Sequence, residues 1–358
     1  MNKGPFNRLP PIAVDFSGAC SVLGLWNVDI LLLSPGSCGK VISQVYENRL
    51  GMSFLETEFN DIDIAQGITD IVLDNIAEVR DRNKPLVILG TPVMSFVGLD
   101  YRQFEHKLRN CLTIELDGYS DYKYGISRAL FTVGNALLKQ PIKTEKHINI
   151  IGYTPLSLGK QSNFQEHISI LNRLGYNTSI IGTQKDKFGE SLNWVVSEEG
   201  IQLAEWMQSH YGVPYILNLP IGLNNSYKWL EELGEILDIN VSEEQRNYVL
   251  EYSKVIKIDK TIAIIGENYI SAKLQECLEK DFGCKAVIII DYDDEDKVKE
   301  IAKYMDICIC DAIYATFFEG SHVKVIEVPY MAVGGRTTNS EFKLMGREGY
   351  EYLLKHLI

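Results

Sequence analysis

The chain has 358 residues, 46% hydrophobic and 23% charged, the composition of a globular protein, with a formal net charge of −13. That charge argues against nucleic acid, which needs a basic footprint. The longest apolar runs, ILLL and AVIII, are far too short to span a bilayer, and MNKGPFNRLPP lacks an apolar signal core, so the expectation is a cytoplasmic protein with no membrane partner.

The first third alternates strand candidates VDILLLS (28–34), SFLET (53–57), PLVILGT (85–91) and CLTIELD (111–117) with helical runs such as ITDIVLDNIAEVRDR (68–82) and YGISRALFTVGNALLK (124–139). KQPIKTEKH (139–147) reads as a polar, proline-containing break. A second series opens with INIIGYT (148–154) and runs through helix QEHISILNRLG, strand NTSIIGT and helix IQLAEWMQSHYG to VPYILNLPIGL (213–223). Helix SYKWLEELGEIL (226–237) and a long polar helix near 242–256 follow. The third series reads KTIAIIGEN, helix ISAKLQECLEKDFG, KAVIIID, helix DKVKEIAKYM, DICICDA and VKVIEVP. Short strands, apolar throughout and separated by helices, imply parallel sheets covered on both faces. The expected fold class is therefore α/β, with three Rossmann-like domains at 1–143, 144–256 and 257–358. Ligands of such folds bind at the carboxyl ends of strands. Here those ends carry Gly36, Gly90, Gly152, Gly182 and Gly266.

The first strand runs into SPGSCGK (34–40), which allows two readings. As a phosphate cradle it fails: a P-loop needs glycine where Ser34 stands and Ser or Thr where Val41 stands. No G-x-G-x-x-G occurs either. As a cysteine-presenting turn it survives, because Cys38 falls where a helix begins and a helix N-terminus favours a thiolate. A small buried residue in a tight turn remains the plainer alternative. There are seven cysteines, Cys20, Cys38, Cys111, Cys277, Cys284, Cys308 and Cys310, with no C-x-x-C pair. An odd number in a cytosolic chain argues against a disulfide framework. Cys308 and Cys310, at strand spacing in ICIC, read as core residues.

Taken in order, several strand-end segments resemble the nitrogenase component 1 superfamily. SGACSVLG (17–24) resembles its first cysteine segment and SPGSCGK its second. GTPVMSFVGLD (90–100) resembles the third, with Thr91 where cysteine would stand and one residue more before the glycine. SFLETEFNDIDIAQG, LDGYSDYKYG, YGVPYILNLPIGLNNSYKWLEEL and EVPYMAVGGRTT…GREGYEYLL match further along, so the resemblance spans almost the whole chain. It implies that Cys20 and Cys38 are metal ligands, and that two subunits together supply four thiolates to one bridging 4Fe–4S cluster. The assembly is then a homodimer, or a heterodimer with a sister subunit. Electrons come from an ATP-dependent iron–sulfur reductase resembling the nitrogenase iron protein. The missing third cysteine and the cysteine-free stretch 112–276 separate the chain from true nitrogenase. They bring it nearer the tetrapyrrole-reducing relatives. A non-catalytic scaffold for metallocluster assembly is the alternative.

On the substrate side the sequence offers Arg336, in the glycine-rich GGRTT, and Asp311, at the end of ICICD. An arginine there suits a substrate carboxylate, or equally a salt bridge fixing the loop. Asp311 and Thr154, in GYTP, are strand-end candidates that could equally be helix caps. The six histidines show no metal-ligand spacing.

Overall fold

A computed structural model of the chain describes residues 13–35, 40, 43, 51–57, 59–79, 83–142, 146–184, 187–250, 257–290, 295–328 and 343–358. The chain divides into two compact units. One holds Val14–Pro141 with Ile180–Phe188, and the other holds Ala13, Ile142–Ser179 and Gly189–Ile358.

The first unit begins with α1 (Asp15–Leu23) and continues β1 (Asp29–Leu33), β2 (Phe54–Glu56), α2 (Asp61–Gln66), α3 (Thr69–Val79), β3 (Leu86–Gly90), α4 (Pro92–Phe96), α5 (Arg102–Lys107), β4 (Cys111–Ile114) and α6 (Tyr122–Leu137). Its strands form one sheet in the order β2-β1-β3-β4, with β1 parallel to β2 and β3, and β3 parallel to β4. Alternate strand residues point to opposite faces. Leu31, Leu33, Leu86 and Ile88 therefore pack one face, with Val72 and Ile76 of α3 and Phe104 of α5 in the same cluster. Ile30, Leu32, Val87 and Leu89 are buried on the other. Burial on both faces is why these strands read as unbroken apolar runs.

The second unit carries two more sheets. The elements that follow in order are β5 (Gln140–Ile142), β6 (His147–Ile151), α7 (Pro155–Leu158), α8 (Gln165–Arg173), β7 (Asn177–Ile180), β8 (Lys187–Gly189), β9 (Leu192–Val195), α9 (Ile201–Tyr211), β10 (Tyr215–Leu217), α10 (Gly222–Leu237) and α11 (Ser242–Leu250), of which β5 and β8 have most of their residues in the first unit. Then follow β11 (Thr261–Ile265), α12 (Asn268–Asp281), β12 (Ala286–Ile290), α13 (Glu295–Ile301), β13 (Ile307–Cys310), α14 (Ala312–Ala315), β14 (Lys324–Glu327) and α15 (Gly346–Leu357). The sheets run β10-β9-β6-β7 and β12-β11-β13-β14. β9 is parallel to β6 and β10, β11 to β12 and β13, and β13 to β14. All three four-stranded sheets share one plan, with the first strand between the second and the third. The strand order reverses between the first and third strands, and that switch point is where α/β folds place ligands.

Several short elements, α1 among them, are absent from the sequence reading, and two strands of the later part of the chain depart from it. The break at 139–147 contains β5, which pairs with β8. LNWV, not read as a strand, is β9 at the centre of its sheet. Its Asn193 is buried, and its side-chain oxygen accepts from the Asn149 side-chain amide of β6 at 2.7 Å. Beside it, Trp194 donates to the Asn218 carbonyl and packs 4.9 Å from the Trp229 ring. His167 of α8 stands edge-on to Trp229, with Nε2 3.0 Å from the Ser226 hydroxyl. Burial pushes the His167 pKa down to about 3.

Candidate functional site

The switch point of the first sheet lies between the ends of β1 and β3. Leu33 pairs with Gly90 in the parallel register, and the next residue, Thr91, donates its hydroxyl to the Leu33 carbonyl at 2.8 Å. Thr91 is almost fully buried, and its hydroxyl makes no cap bond to α4. Gly90 has no side chain because Tyr101 fills the space: a Cβ there would overlap the tyrosine hydroxyl. Ser34 is buried just past β1, four residues before Cys38 in the sequence. Cys38 itself lies outside the described residues. At the end of β2, Glu56 accepts a hydrogen bond from the Ser43 hydroxyl.

Cys20 sits on α1, and its position follows from how closely α1 approaches α6. A methyl at Gly18 would overlap the Tyr122 carbonyl, and one at Gly125 would overlap the Asp15 carbonyl. Backbone therefore meets backbone, which only glycine permits. Asp15 anchors the start of α1. Its buried carboxylate accepts from the backbone N–H of Phe16, Asp117 and Gly118, at 2.7, 2.9 and 3.2 Å. Burial outweighs those donors and raises the Asp15 pKa. Cys20 is fully buried, and burial alone pushes its thiol well above the ordinary value. The neutral thiol is thus the stable form of the metal-free side chain, and a bound cation is what would hold it as a thiolate.

The second sheet repeats the device of the first. Ile151 pairs with Val195, which sets Gly152 beside Val196, and Ser197 then donates to the Gly152 carbonyl at 2.9 Å. In both sheets a hydroxyl one residue beyond the register partner ties the third strand to the end of the first. Thr154 is a helix cap here, accepting from the Ser157 N–H at the start of α7. In the third sheet Ile264 pairs with Ile309, so Asp311 holds the place of Thr91. Asp311 is buried, and its carbonyl accepts from the Tyr314 N–H in the first turn of α14. Glu267, after β11, caps α12 by accepting from the N–H groups of Tyr269 and Ile270, both at 2.8 Å. Cys308 and Cys310 are fully buried in β13. Arg336 lies outside the described residues.

Among the described residues, no group of three or more His, Cys, Asp or Glu side chains is arranged to hold a metal, and no helix is long and apolar enough to cross a membrane. Of the four residues singled out from sequence, Cys20 and Asp311 lie at different sheets, in different units. Sequence reading missed Asp15 and the two hydroxyl ties. The only written signal for the ties is a Ser or Thr just past a third strand.

A family model described as nitrogenase component 1 type oxidoreductase matches residues 16–316. One of the subunits of the light-independent protochlorophyllide reductase of Prochlorococcus marinus (strain MIT 9301) is 21% identical over 329 residues, covering 81% of this chain and 62% of that protein. Its counterpart in Synechocystis sp. (strain ATCC 27184 / PCC 6803 / Kazusa) is 22% identical, covering 68% of this chain and 56% of that protein. The chain thus spans less than two thirds of the length of these relatives. A solved structure titled "Nitrogenase Cp1 at pH 6.5" superposes with a TM-score of 0.73 at 13% identity, over 100% of this chain and 93% of that one, a likeness of fold.

Proposed function

Since the chain belongs to the nitrogenase component 1 type oxidoreductase family, we propose that it is the electron-accepting, substrate-reducing component of a two-protein reductase. The observation that carries this reading is the extent of the match, which takes in both Cys20 and Cys38, two of the four-stranded sheets whole and three strands of the third. Cys20 and Cys38 of each of two chains hold one 4Fe–4S cluster between them, four thiolates in all. Cys20 fits that group in kind. It is a soft sulfur on a helix fixed by backbone contact, its thiol disturbed by burial alone. Bound there, the cluster would take up and release single electrons. Thr91 is not counted among the ligands, because it offers a neutral hydroxyl where a soft thiolate is wanted, and that hydroxyl donates to the Leu33 carbonyl.

The chain has no P-loop and no dinucleotide fingerprint, so its electrons come across a protein contact from an external iron–sulfur ATPase. The substrate class is a reducible tetrapyrrole, by analogy with the relatives named above. The same analogy supports soluble cytoplasmic subunits, whether two copies of this chain or a pair with a sister chain. Arg336 and Asp311 are proposed on the substrate side.

The test is anaerobic purification with iron and sulfide analysis, then EPR in the presence of an iron–sulfur ATPase, ATP and dithionite. About four irons per two chains are expected, with cluster reduction that requires both ATPase and ATP. Iron-free protein with both cysteines open to alkylation overturns the cluster assignment. Equal reduction without ATPase or ATP overturns gated delivery, and iron handed on to a recipient protein makes the chain an assembly scaffold.

A further inference from the structure

The carboxyl ends of the first sheet carry the candidate site, and its amino ends border a cavity. The cavity has a volume of about 320 Å³, within the range of small-molecule sites. Asn27 stands two residues before β1, and Pro85 and Asn110 come directly before β3 and β4. Parallel pairing draws these positions together. The Asp29 N–H donates to the Pro85 carbonyl and the Leu86 N–H to the Asn110 carbonyl, each at 2.9 Å. Asn110 holds a left-handed φ of 54°, which asparagine adopts more readily than most residues. The sheet itself thus fixes the backbone of this rim. Leu137, the last residue of α6, and Lys139 just beyond it line another side.

The chemistry of the lining selects the occupant. Trp26, Pro85 and Leu137 supply an apolar wall. The carboxamides of Asn27, Asn83 and Asn110 supply donors and acceptors. Trp26 is 6% exposed, and its indole N–H has no acceptor. Gly182 lies against this indole, where a Cβ would come within 3.0 Å of three ring atoms, so the ring is held in place. A buried donor without a partner is costly, and an acceptor on an occupant would relieve it. Among the described residues that line the cavity, Lys139 is the only charged one. Asp29, at the start of β1, is paired with Lys84 at 3.7 Å. On a chain of net charge −13, a cavity whose lining holds a lysine and no acid favours an anion. Carboxamides match the donor and acceptor edge of a purine, and lysine serves phosphate as a point charge.

We propose that this cavity binds a nucleoside monophosphate, with its base against Trp26, Pro85 and Leu137 and its phosphate at Lys139. The proposal does not draw on the cluster reading. Pro85 and Thr91 flank the two ends of β3, roughly 20 Å apart.

The experiment uses the full chain, purified anaerobically with isotope-labelled tryptophan. The chain has four tryptophans, and Trp26→Phe identifies the Trp26 indole signal in the NMR spectrum by its loss. Titration with AMP should shift that signal saturably, and calorimetry should show a single class of site. Lys139→Gln should weaken AMP about tenfold and leave adenosine unchanged, because only a charge-assisted contact is lost. Lys139 is exposed, so this variant should fold as the wild type does. Trp26→Phe keeps a ring and removes the N–H, and should weaken both ligands. Equal binding of AMP by Lys139→Gln overturns the proposal. Inorganic phosphate that shifts the signal as AMP does reduces the cavity to a simple anion site, which also overturns it. No saturable shift with AMP or adenosine at about 1 mM overturns it as well. Iron content and cluster reduction, measured on the same preparation, test the functional reading separately.

Discussion

Thr91 stands where the family pattern has a cysteine, and its hydroxyl holds two strand ends together. It is buried and donates to the Leu33 carbonyl at 2.8 Å. Thr91→Val keeps the shape, removes the donor and strands a buried acceptor, which should lower stability by about 1–3 kcal/mol. Urea unfolding measures the loss, and iron analysis should find the iron content unchanged. A variant as stable as the wild type, or one that sheds its iron, contradicts the assigned task. None of this was legible in GTPV, because a threonine at a helix start reads first as a cap. Only the register of β1 against β3 reveals its true partner. Cys20 was legible as a ligand candidate through its motif, but its complete burial was not, since burial depends on a helix 102 residues away along the chain at Tyr122.

α1 shows how an element can be invisible in sequence and still decisive. DFSGACSVL contains Gly18, two serines and a cysteine, a weak helix former on propensity. Contact with α6 overrides propensity, and the contact exists because Gly18 and Gly125 face backbone carbonyls. Gly125→Ala must push the helices apart, at a cost of about 1–3 kcal/mol. Because Cys20 rides on α1, the same variant should lose much of its iron under chelator challenge. Full iron retention in a folded Gly125→Ala protein would show that α1 does not set the position of the sulfur. The long apolar strands were the easy part: VDILLLS, PLVILGT, INIIGYT and KTIAIIG became β1, β3, β6 and β11. β9 escaped because LNWV carries a polar Asn193 in a buried strand, its side-chain oxygen accepting from Asn149 of the neighbouring strand. The polar stretch near 242–256 was legible as helix, and α11 covers Ser242–Leu250.

For the molecule as a whole, buried titratable groups set a window of stability. His167 is held near a pKa of about 3, against about 6.5 unfolded. The unfolded chain therefore binds the extra proton, and stability falls as pH drops below about 6.5, by up to about 1.4 kcal/mol per unit. Asp15 and Asp281, both raised by burial, act in the opposite sense nearer pH 4. On the alkaline side, the thiols of Cys20, Cys277 and Cys310 are pushed well above 9.0. Unfolded thiols ionise there and folded ones do not, so stability falls again as pH rises through about 9. Urea midpoints of the reduced, metal-free protein from pH 5 to 10 should trace a plateau with both flanks declining. A flat alkaline flank would mean that the thiols are not sealed from water. The hydroxyl ties of Thr91 and Ser197 carry this further. They are made by the chain from its own atoms, so the strand ends are finished before any metal arrives. On the proposed cluster reading, such a protein can be synthesised empty, wait as a shaped receptacle, and be refilled after oxidative loss of the cluster. In a cell that meets oxygen, damage would then call for reloading and not for replacement.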